Sequence, residues 1–425
     1  MIFRTKLFSA TWDTWMYYYN KIYYLYYLIT ENSCGEGYGV ATSSDGVHFI
    51  DYGKVLGASD KMVFYLGTGS VWKWHAPDHK DTFICNYSEW RQCGDEIQQS
   101  ILFAVSKDLI HWEKYGDKNI FLPDSTYYKE FQSQGERWDC IFPLQQEDGG
   151  YYGYWTAAPK EFVGVGFGRS QNGIDWEALP PPHMELGMFS ESREVEAGAA
   201  CVNDGKVYLM TGSYGHEKGV GFYVADRPEG PFAPMMKNFA LFSNHSHMHA
   251  YFSRFFYGDD ELLTNFHVIA REENDFGRPI TYLAPVKKVS FDQEGILRLM
   301  WWEKNAALKG DSCTDIKGDC YIEGSMPIGV PIVLAMHCGG HIRITLDRYG
   351  HADYENDASG SYKTEESYDR ELSLSDDVPI RMLVSGTFSE LYADNHFIGC
   401  YTMPGIVIGA EHSLIDVKVW SLSLT

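Results

Sequence analysis

The strongest constraint on how this chain folds is an internal echo. The segments "YGVATSSDGVHF" (38–49), "ILFAVSKDLIHW" (101–112), "VGFGRSQNGIDW" (165–176) and "GFYVADRPEGPF" (221–232) share one design. Each couples a short alternating strand to a polar turn and then to an aromatic. With Ser43, Ser106, Ser170 and Asp226 aligned, the aromatic falls six residues later every time, at Phe49, Trp112, Trp176 and Phe232. The copies recur every 56 to 64 residues. Such a period marks a repeat architecture, in which no single unit buries its apolar face alone.

Ahead of each copy runs a strand of β-branched or aromatic residues: 21–29, 81–90, 149–159 and 205–215, with a fifth at 260–270 before a looser copy at 282–302. One more strand precedes each of these, around 13–18, 67–74, 137–144, 196–203 and 249–258. Three or four strands per unit, joined by hairpins and without a long amphipathic helix, describe propeller blades. The fold class is therefore all-β: a five-bladed β-propeller over 1–304, a polar linker over 305–320, and alternating strands over 321–425 that suit a β-sandwich. A sandwich with accidental repetition is the structural alternative for the first part.

In a propeller the innermost strands open together at one end of the axis. At that point the first unit offers Asp13, ten residues before Tyr23; the third offers Asp139, twelve before Tyr151; the fourth offers Glu196, eleven before Val207. The second unit has "GTGS" (67–70) and the fifth "HSHMHAY" (245–251) instead. An acid at a strand start is ordinarily a turn cap, but three at matching places in a repeat should converge. Convergent carboxylates push at least one pKa upward, so a protonated acid coexists with ionised partners. Glycoside hydrolysis needs that combination.

Composition narrows the ligand. The 58 acids against 35 bases give a net charge of −23 with no basic patch, which argues against nucleic acid and against polyanionic substrates. No segment approaches the ~20 apolar residues of a membrane span, so no membrane association is expected. The nine scattered cysteines lack a CxxC pair, and no export signal is read at the N-terminus. A reducing cytoplasm is the expected location. No cofactor or metal is expected. Aromatics make up 16% of the chain, which fits both sugar stacking and an ordinary β core.

These residues resemble clan J of the glycoside hydrolases, families 32 and 68, whose members carry a nucleophilic Asp, an Asp in an Arg-Asp-Pro motif and an acid/base Glu on a five-bladed propeller. A β-sandwich follows in family 32. "TWDTWMYYYNKIYYLYYL" is similar to the nucleophile block, its Trp-Asp-x-Trp nearer to family 68. "YLGTGSVW" (65–72) resembles the Phe-Ser-Gly-Ser block, "RWDC" stands where Arg-Asp-Pro is expected, and "EAG" where Glu-Cys-Pro is expected. "MLVSGTFSELYADNHFIGCYTM" resembles a strand pair of the sandwich. One departure matters: Trp138 separates Arg137 from Asp139, which puts those two on the same strand face.

The resemblance implies a retaining exo-acting furanosidase (β-fructofuranosidase-like) for short oligosaccharides. Asp13 would attack the anomeric carbon, Glu196 would protonate the leaving oxygen and later activate water, and Asp139 would hold sugar hydroxyls. Retention implies Asp13 and Glu196 carboxyls about 5–5.5 Å apart. Glu194, on the same face, is the rival acid. Trp12, Trp15, Trp72 and Trp138 are candidate sugar platforms, with core packing as the alternative for each. Ser70, Arg137 and His249 complete the candidate substrate contacts. His245, His247 and His249 share a strand face; sugar contact from the fifth unit is preferred to a metal, and plain packing is the default. "VGVGFG" (163–168) lacks a following helix and is discounted as a phosphate loop. Open alternatives are an inverting enzyme resembling the arabinofuranosidases of family 43, a fructosyl-type transferase, and a non-catalytic sugar-binding propeller. Oligomeric state is left open.

Overall fold

The computed structural model describes residues 2–31, 34–116, 119–129, 136–215, 219–236, 240–243, 250–273, 279–357, 363–366 and 370–424. Among the described residues the chain's regular structure is almost entirely antiparallel strand, with short 3-10 turns. Its first unit comprises strands Ala10–Tyr19, Ile22–Thr30, Cys34–Ser43 and Ile50–Gly57, each paired to the next. In the second, Val63–Gly67 and Val71–Lys73 both pair with Phe83–Cys93, followed by Glu96–Ser106 and Glu113–Lys114. The third runs Trp138–Gln145, Tyr151–Ala157, Val165–Ser170, Glu177–Leu179. The fourth begins Ser192–Asn203, Lys206–Gly215, Gly219–Ala225, and the fifth Ala250–Gly258, Glu261–Glu273. These hairpin-linked units coincide with the repeat read from the sequence.

Packing shows how the units are arranged. One apolar cluster joins the first and second (Trp15, Tyr38, Phe83, Leu109), another the second and third (Trp72, Phe103, Trp138, Trp155). A third joins the third and fourth (Phe167, Val195, Leu209), and the largest joins the fourth, fifth and first (Met210, Phe255, Phe266, Met16). Each sheet thus packs face to face on its neighbours around a ring. The ring closes where Thr11 pairs with Thr281 and the Ile2 N–H reaches the Leu283 carbonyl at 3.0 Å. This is a propeller, whose radial repetition leaves few open edges.

The repeated turn has a physical cause. The Ser43 hydroxyl accepts the N–H of Gly46 at 2.8 Å, and Asp45 Oδ1 accepts the N–H groups of Val47 and His48 at 2.9 Å each. Ser106 with Asp108, and Ser170 with Asn172, repeat the arrangement. Asp and Ser side chains substitute for backbone partners in turns of this kind. The fourth residue of the turn is left-handed in all three copies: Gly46 and Gly173 adopt it freely, while Leu109 (φ 67°) does so against the cost of a Cβ. The trailing Trp112 and Trp176 indoles donate back to the carbonyls of Leu109 and Gly173.

Beyond the ring lies a second body of two sheets. One contains Cys320–Pro327, Asp377–Ser385, Phe388–Ala393, His396–Thr402 and Ile415–Leu422; the other contains Ile332–Met336, His341–Leu346, Ala352–Asn356, Lys363–Glu366 and Val407–Glu411. Inward residues such as Ile322, Met382, Leu334 and Ile344 are fully buried, as a sandwich requires. The stretch expected to be a polar linker is not wholly irregular. Lys309–Cys313 forms a strand on Ile415–Leu422, so part of 305–320 belongs to the sandwich sheet. Among the described residues the cysteines are free thiols, and no helix is long and apolar enough to cross a membrane.

Candidate active site

Innermost strands of four units lose register with their partners near the same end. The shifts fall between Thr11 and Thr14, Asp139 and Phe142, Ala197 and Ala199, and Tyr251 and Arg254. A β-bulge re-aims side chains that strict alternation would send into the faces. Asp13 lies within the first bulge, Asp139 at the edge of the second, and Glu196 one residue before the third. Cys140, in the second bulge, is left-handed (φ 65°), a strained conformation for a residue with a side chain.

Around these bulges the acids gather. Arg137 is the hub: Nη2 donates to Asp139 Oδ2 at 2.6 Å, while Nη1 bonds Glu196 Oε1 and lies 3.0 Å from Glu194 Oε1. The side chains of Asp139, Glu196 and Glu194 are buried or nearly so; burial opposes the charge on Arg137, but Asp139 and Glu194 outweigh it and hold the guanidinium charged, its pKa above the ordinary value. The same-face placement of Arg137 and Asp139, which the intervening Trp138 implied, is what permits the direct contact. Asp139 Oδ1 also accepts from the Ser88 hydroxyl at 3.0 Å and the Cys140 thiol at 2.9 Å.

Asp13 sits beside this cluster. Thr68 Oγ1 donates to its Oδ2, and His267 Nε2 stands 3.8 Å from its Oδ1. Burial pushes its carboxyl up to about 6; the Thr68 bond, Arg137 and Arg254 oppose the rise, and Asp139 adds to it. Burial likewise raises Glu194, with Arg137 opposing. His267 is driven by burial down to about 3 and is a neutral imidazole at physiological pH, tilted against the Trp12 ring at 5.7 Å between centroids. The site thus sets two carboxyls raised by burial, Asp13 and Glu194, beside a buried guanidinium, an environment in which a carboxyl can hold a proton for acid-assisted bond cleavage.

Three of the four tryptophans are packed into the core, the alternative that the sequence left open for each. Trp15 is 1% exposed, packed on Tyr26 and Tyr38; Trp72 is 4% exposed, donating to the Gly173 carbonyl against Phe103 and Trp176. Trp138 is fully buried among Phe121, Tyr128 and Trp155 and donates to the Phe121 carbonyl. These indoles fill the faces between units. Trp12 alone is half-buried beside the cluster. Ser70 is buried and its N–H donates to Asn86 Oδ1; within the "GTGS" block it is Thr68, not Ser70, that touches an acid. His245, His247 and His249 lie outside the described residues.

Sequence reasoning missed Thr68, Ser88, Arg254 and His267, all polar residues contributed across unit boundaries. The glycine of "GTGS" explains itself by close approach. A Cβ at Gly67 would stand 2.2 Å from Ser88 Oγ and 2.7 Å from Asp139 Oδ1. Gly67→Ala is therefore expected to displace Asp139 and to cost about 1–3 kcal/mol of stability, as overpacking does; thermal unfolding together with turnover of the purified variant checks both. Among the described residues no group of three or more His, Cys, Asp or Glu side chains is gathered to hold a metal.

No known family model matches the chain, and no curated protein matches it in sequence. Solved structures match it in fold. A family 32 β-fructofuranosidase of Bombyx mori superposes with a TM-score of 0.72 at 15% identity, covering 97% of this chain and 91% of that one. Sucrose-6-phosphate hydrolase from Lactobacillus gasseri gives 0.71 at 14%, covering 97% and 91%. Fructan 1-exohydrolase IIa from Cichorium intybus gives 0.69 at 12%, covering 97% and 96%. At such identities the likeness is one of architecture: this chain has the propeller-plus-sandwich fold seen in family 32 of the glycoside hydrolases.

Proposed function

We propose that the protein is a retaining exo-glycoside hydrolase acting on furanosides of short oligosaccharides. The observation that carries this reading is the gathering of Asp13, Asp139 and Glu196, from three separate units, into one charge cluster about Arg137. Asp13 attacks the anomeric carbon as the leaving oxygen takes a proton from Glu196, giving a glycosyl ester on Asp13. Glu196, now a carboxylate, removes a proton from water, which attacks the same carbon and releases the sugar and the Asp13 carboxylate. Asp139, fixed by Arg137 and Ser88, accepts hydrogen bonds from sugar hydroxyls. The fold likeness supports a furanoside substrate: the fructan exohydrolase from Cichorium intybus was solved with 1-kestose. Imported oligosaccharides in the cytoplasm suit an exo enzyme, and we place it there.

One observation favours a second assignment of the acid. Arg137 contacts both glutamates, but Glu194 is raised by burial and so is suited to hold a proton in the free site. Leaving-group dependence separates the two. Loss of a general acid is expected to slow an oligosaccharide about 10²–10⁴-fold while sparing a nitrophenyl furanoside, whose phenolate leaves unprotonated. Glu196→Gln is expected to show this pattern, with azide restoring turnover, and Glu194→Gln is not. The reverse result moves the acid role to Glu194. Proton NMR of the first-formed anomer checks the stereochemistry, and an inverted product would sink the double displacement.

A further inference from the structure

In each of the four bulged units, pairing resumes at one residue of the innermost strand: Thr14, Phe142, Ala199 and Arg254. Three of these are neutral. The fifth unit places a guanidinium there, 1% exposed. Arg254 Nη1 donates to the carbonyls of Ala197 at 3.3 Å and Gly198 at 2.5 Å, in and beside the bulge that directly follows Glu196. The fit is close on the backbone side as well. A Cβ at Gly198 would meet the Met210 carbonyl at 2.8 Å and the Ser253 carbonyl at 3.1 Å. Nothing in the proposed reaction uses this buried cation, and burying a charge is costly unless it is compensated.

We propose that Arg254 is a positioning residue of the site: it ties the kinked segment carrying Glu196 to the fifth unit and supplies the buried positive charge that balances Asp13 and Asp139. This deepens the hydrolase reading and rests on it for the roles of the acids. The charge acts in the expected direction. Around Asp13 stand the Thr68 hydroxyl, the neutral His267, Arg137, Arg254 and Asp139; both arginines favour the Asp13 carboxylate, and Asp139 opposes it. Burial lowers the Arg254 pKa itself, with Asp13 and Asp139 among the groups that hold it charged. The Arg137 side chain is partly exposed, at 17%, whereas Arg254 is sealed off from solvent.

Two variants test this. In Arg254→Met the carbonyl ties and the charge are both lost; Arg254→Lys keeps a charge but concentrates it on one ammonium, which cannot reproduce the guanidinium geometry. The ionisation of Asp13 is read without turnover, by infrared difference titration of each protein against the same protein carrying Asp13→Asn. Arg254→Met is expected to raise the Asp13 midpoint by about one pH unit or more. Arg254→Lys is expected to leave the midpoint near that of the parent but to lower kcat about tenfold or more with KM little changed, because Glu196 shifts with its bulge. An unchanged midpoint in folded Arg254→Met overturns the charge role, and parental kcat in Arg254→Lys overturns the positioning role. Should the Met variant not fold, the same titration of Arg254→Gln decides the charge role, and the Lys variant decides the positioning role. A protein inactive on every furanoside would defeat the hydrolase reading and still leave the titration to be read.

Discussion

Asp13→Asn is expected to abolish turnover of furanosides, by about 10⁴-fold or more, and at the same time to stabilise the folded protein near neutral pH. The catalytic loss follows from removing the nucleophile, since partial catalysis by the remaining groups rarely recovers such a deletion. The stability gain follows from the pKa. Asp13 rises from 3.8 to about 6 on folding, chiefly through burial. A carboxyl whose folded pKa is raised favours folding while protonated. Its contribution is complete below the unfolded pKa near 4 and is lost as pH climbs through 6. Above that, the parent protein carries an ionised Asp13 that the fold disfavours by roughly 3 kcal/mol, at about 1.4 kcal/mol per unit. The side chain is 13% exposed, so solvent screening removes little of this. Asparagine carries no charge and escapes the penalty. Denaturant unfolding at pH 8 should therefore show Asp13→Asn more stable than the parent, with the difference gone at pH 4. In the parent, kcat/KM should fall below pH 6 as the nucleophile protonates. If the variant kept substantial turnover, both the assignment of Asp13 as nucleophile and the double displacement through it would be wrong.

The acids were legible because a repeat converts sequence position into spatial position. Asp13, Asp139 and Glu196 stand at comparable distances before the second strand of their units, and ring closure brings such positions to one axis. The Ser–Asp turns were legible for the same reason, being local side chain-to-backbone motifs repeated at fixed spacing. What could not be read is whatever depends on the bulges. Simple alternation leaves the faces of Trp15 and Trp138 undecided, because an added residue in the strand resets every side chain beyond it. Thr68, Ser88 and His267 were invisible for another reason. Each reaches its acid across a boundary between units, and no periodicity links Thr68 to Asp13 or Ser88 to Asp139. Arg254 lay within an aromatic-rich strand, "AYFSRFFYG", that reads as core, which is where it is.

The joint between ring and sandwich carries the second large effect. Lys287, on the Lys287–Phe291 strand of the fifth unit, and Glu390, on the Phe388–Ala393 strand of the sandwich, are both wholly buried with Nζ 2.5 Å from Oε1. Tyr392 donates to Glu390 Oε2 at 2.7 Å, Lys287 also reaches the Pro285 carbonyl at 2.6 Å, and the Phe266 and Phe397 rings lie 4.1 and 4.9 Å from Nζ. Burial lowers the Lys287 pKa, and Glu390 opposes that. Breaking such a pair on one side leaves a charge in an apolar site, at about 3–5 kcal/mol, whereas replacing both partners by apolar groups of similar volume is often neutral or stabilising. Lys287→Met is thus expected to destabilise strongly, since Glu390 is then left in an apolar site without its cation, with only the Tyr392 hydroxyl on Oε2. Glu390→Leu is expected to cost less at high pH than at neutral pH, because a lysine already biased downward sheds its proton and becomes neutral. The double variant should recover most or all of the loss. Denaturant unfolding of the four proteins at two pH values measures the coupling directly. A double variant as unstable as the worse single variant would mean that the joint depends on the ionic contact itself, and additive losses would mean that the two groups act independently across it.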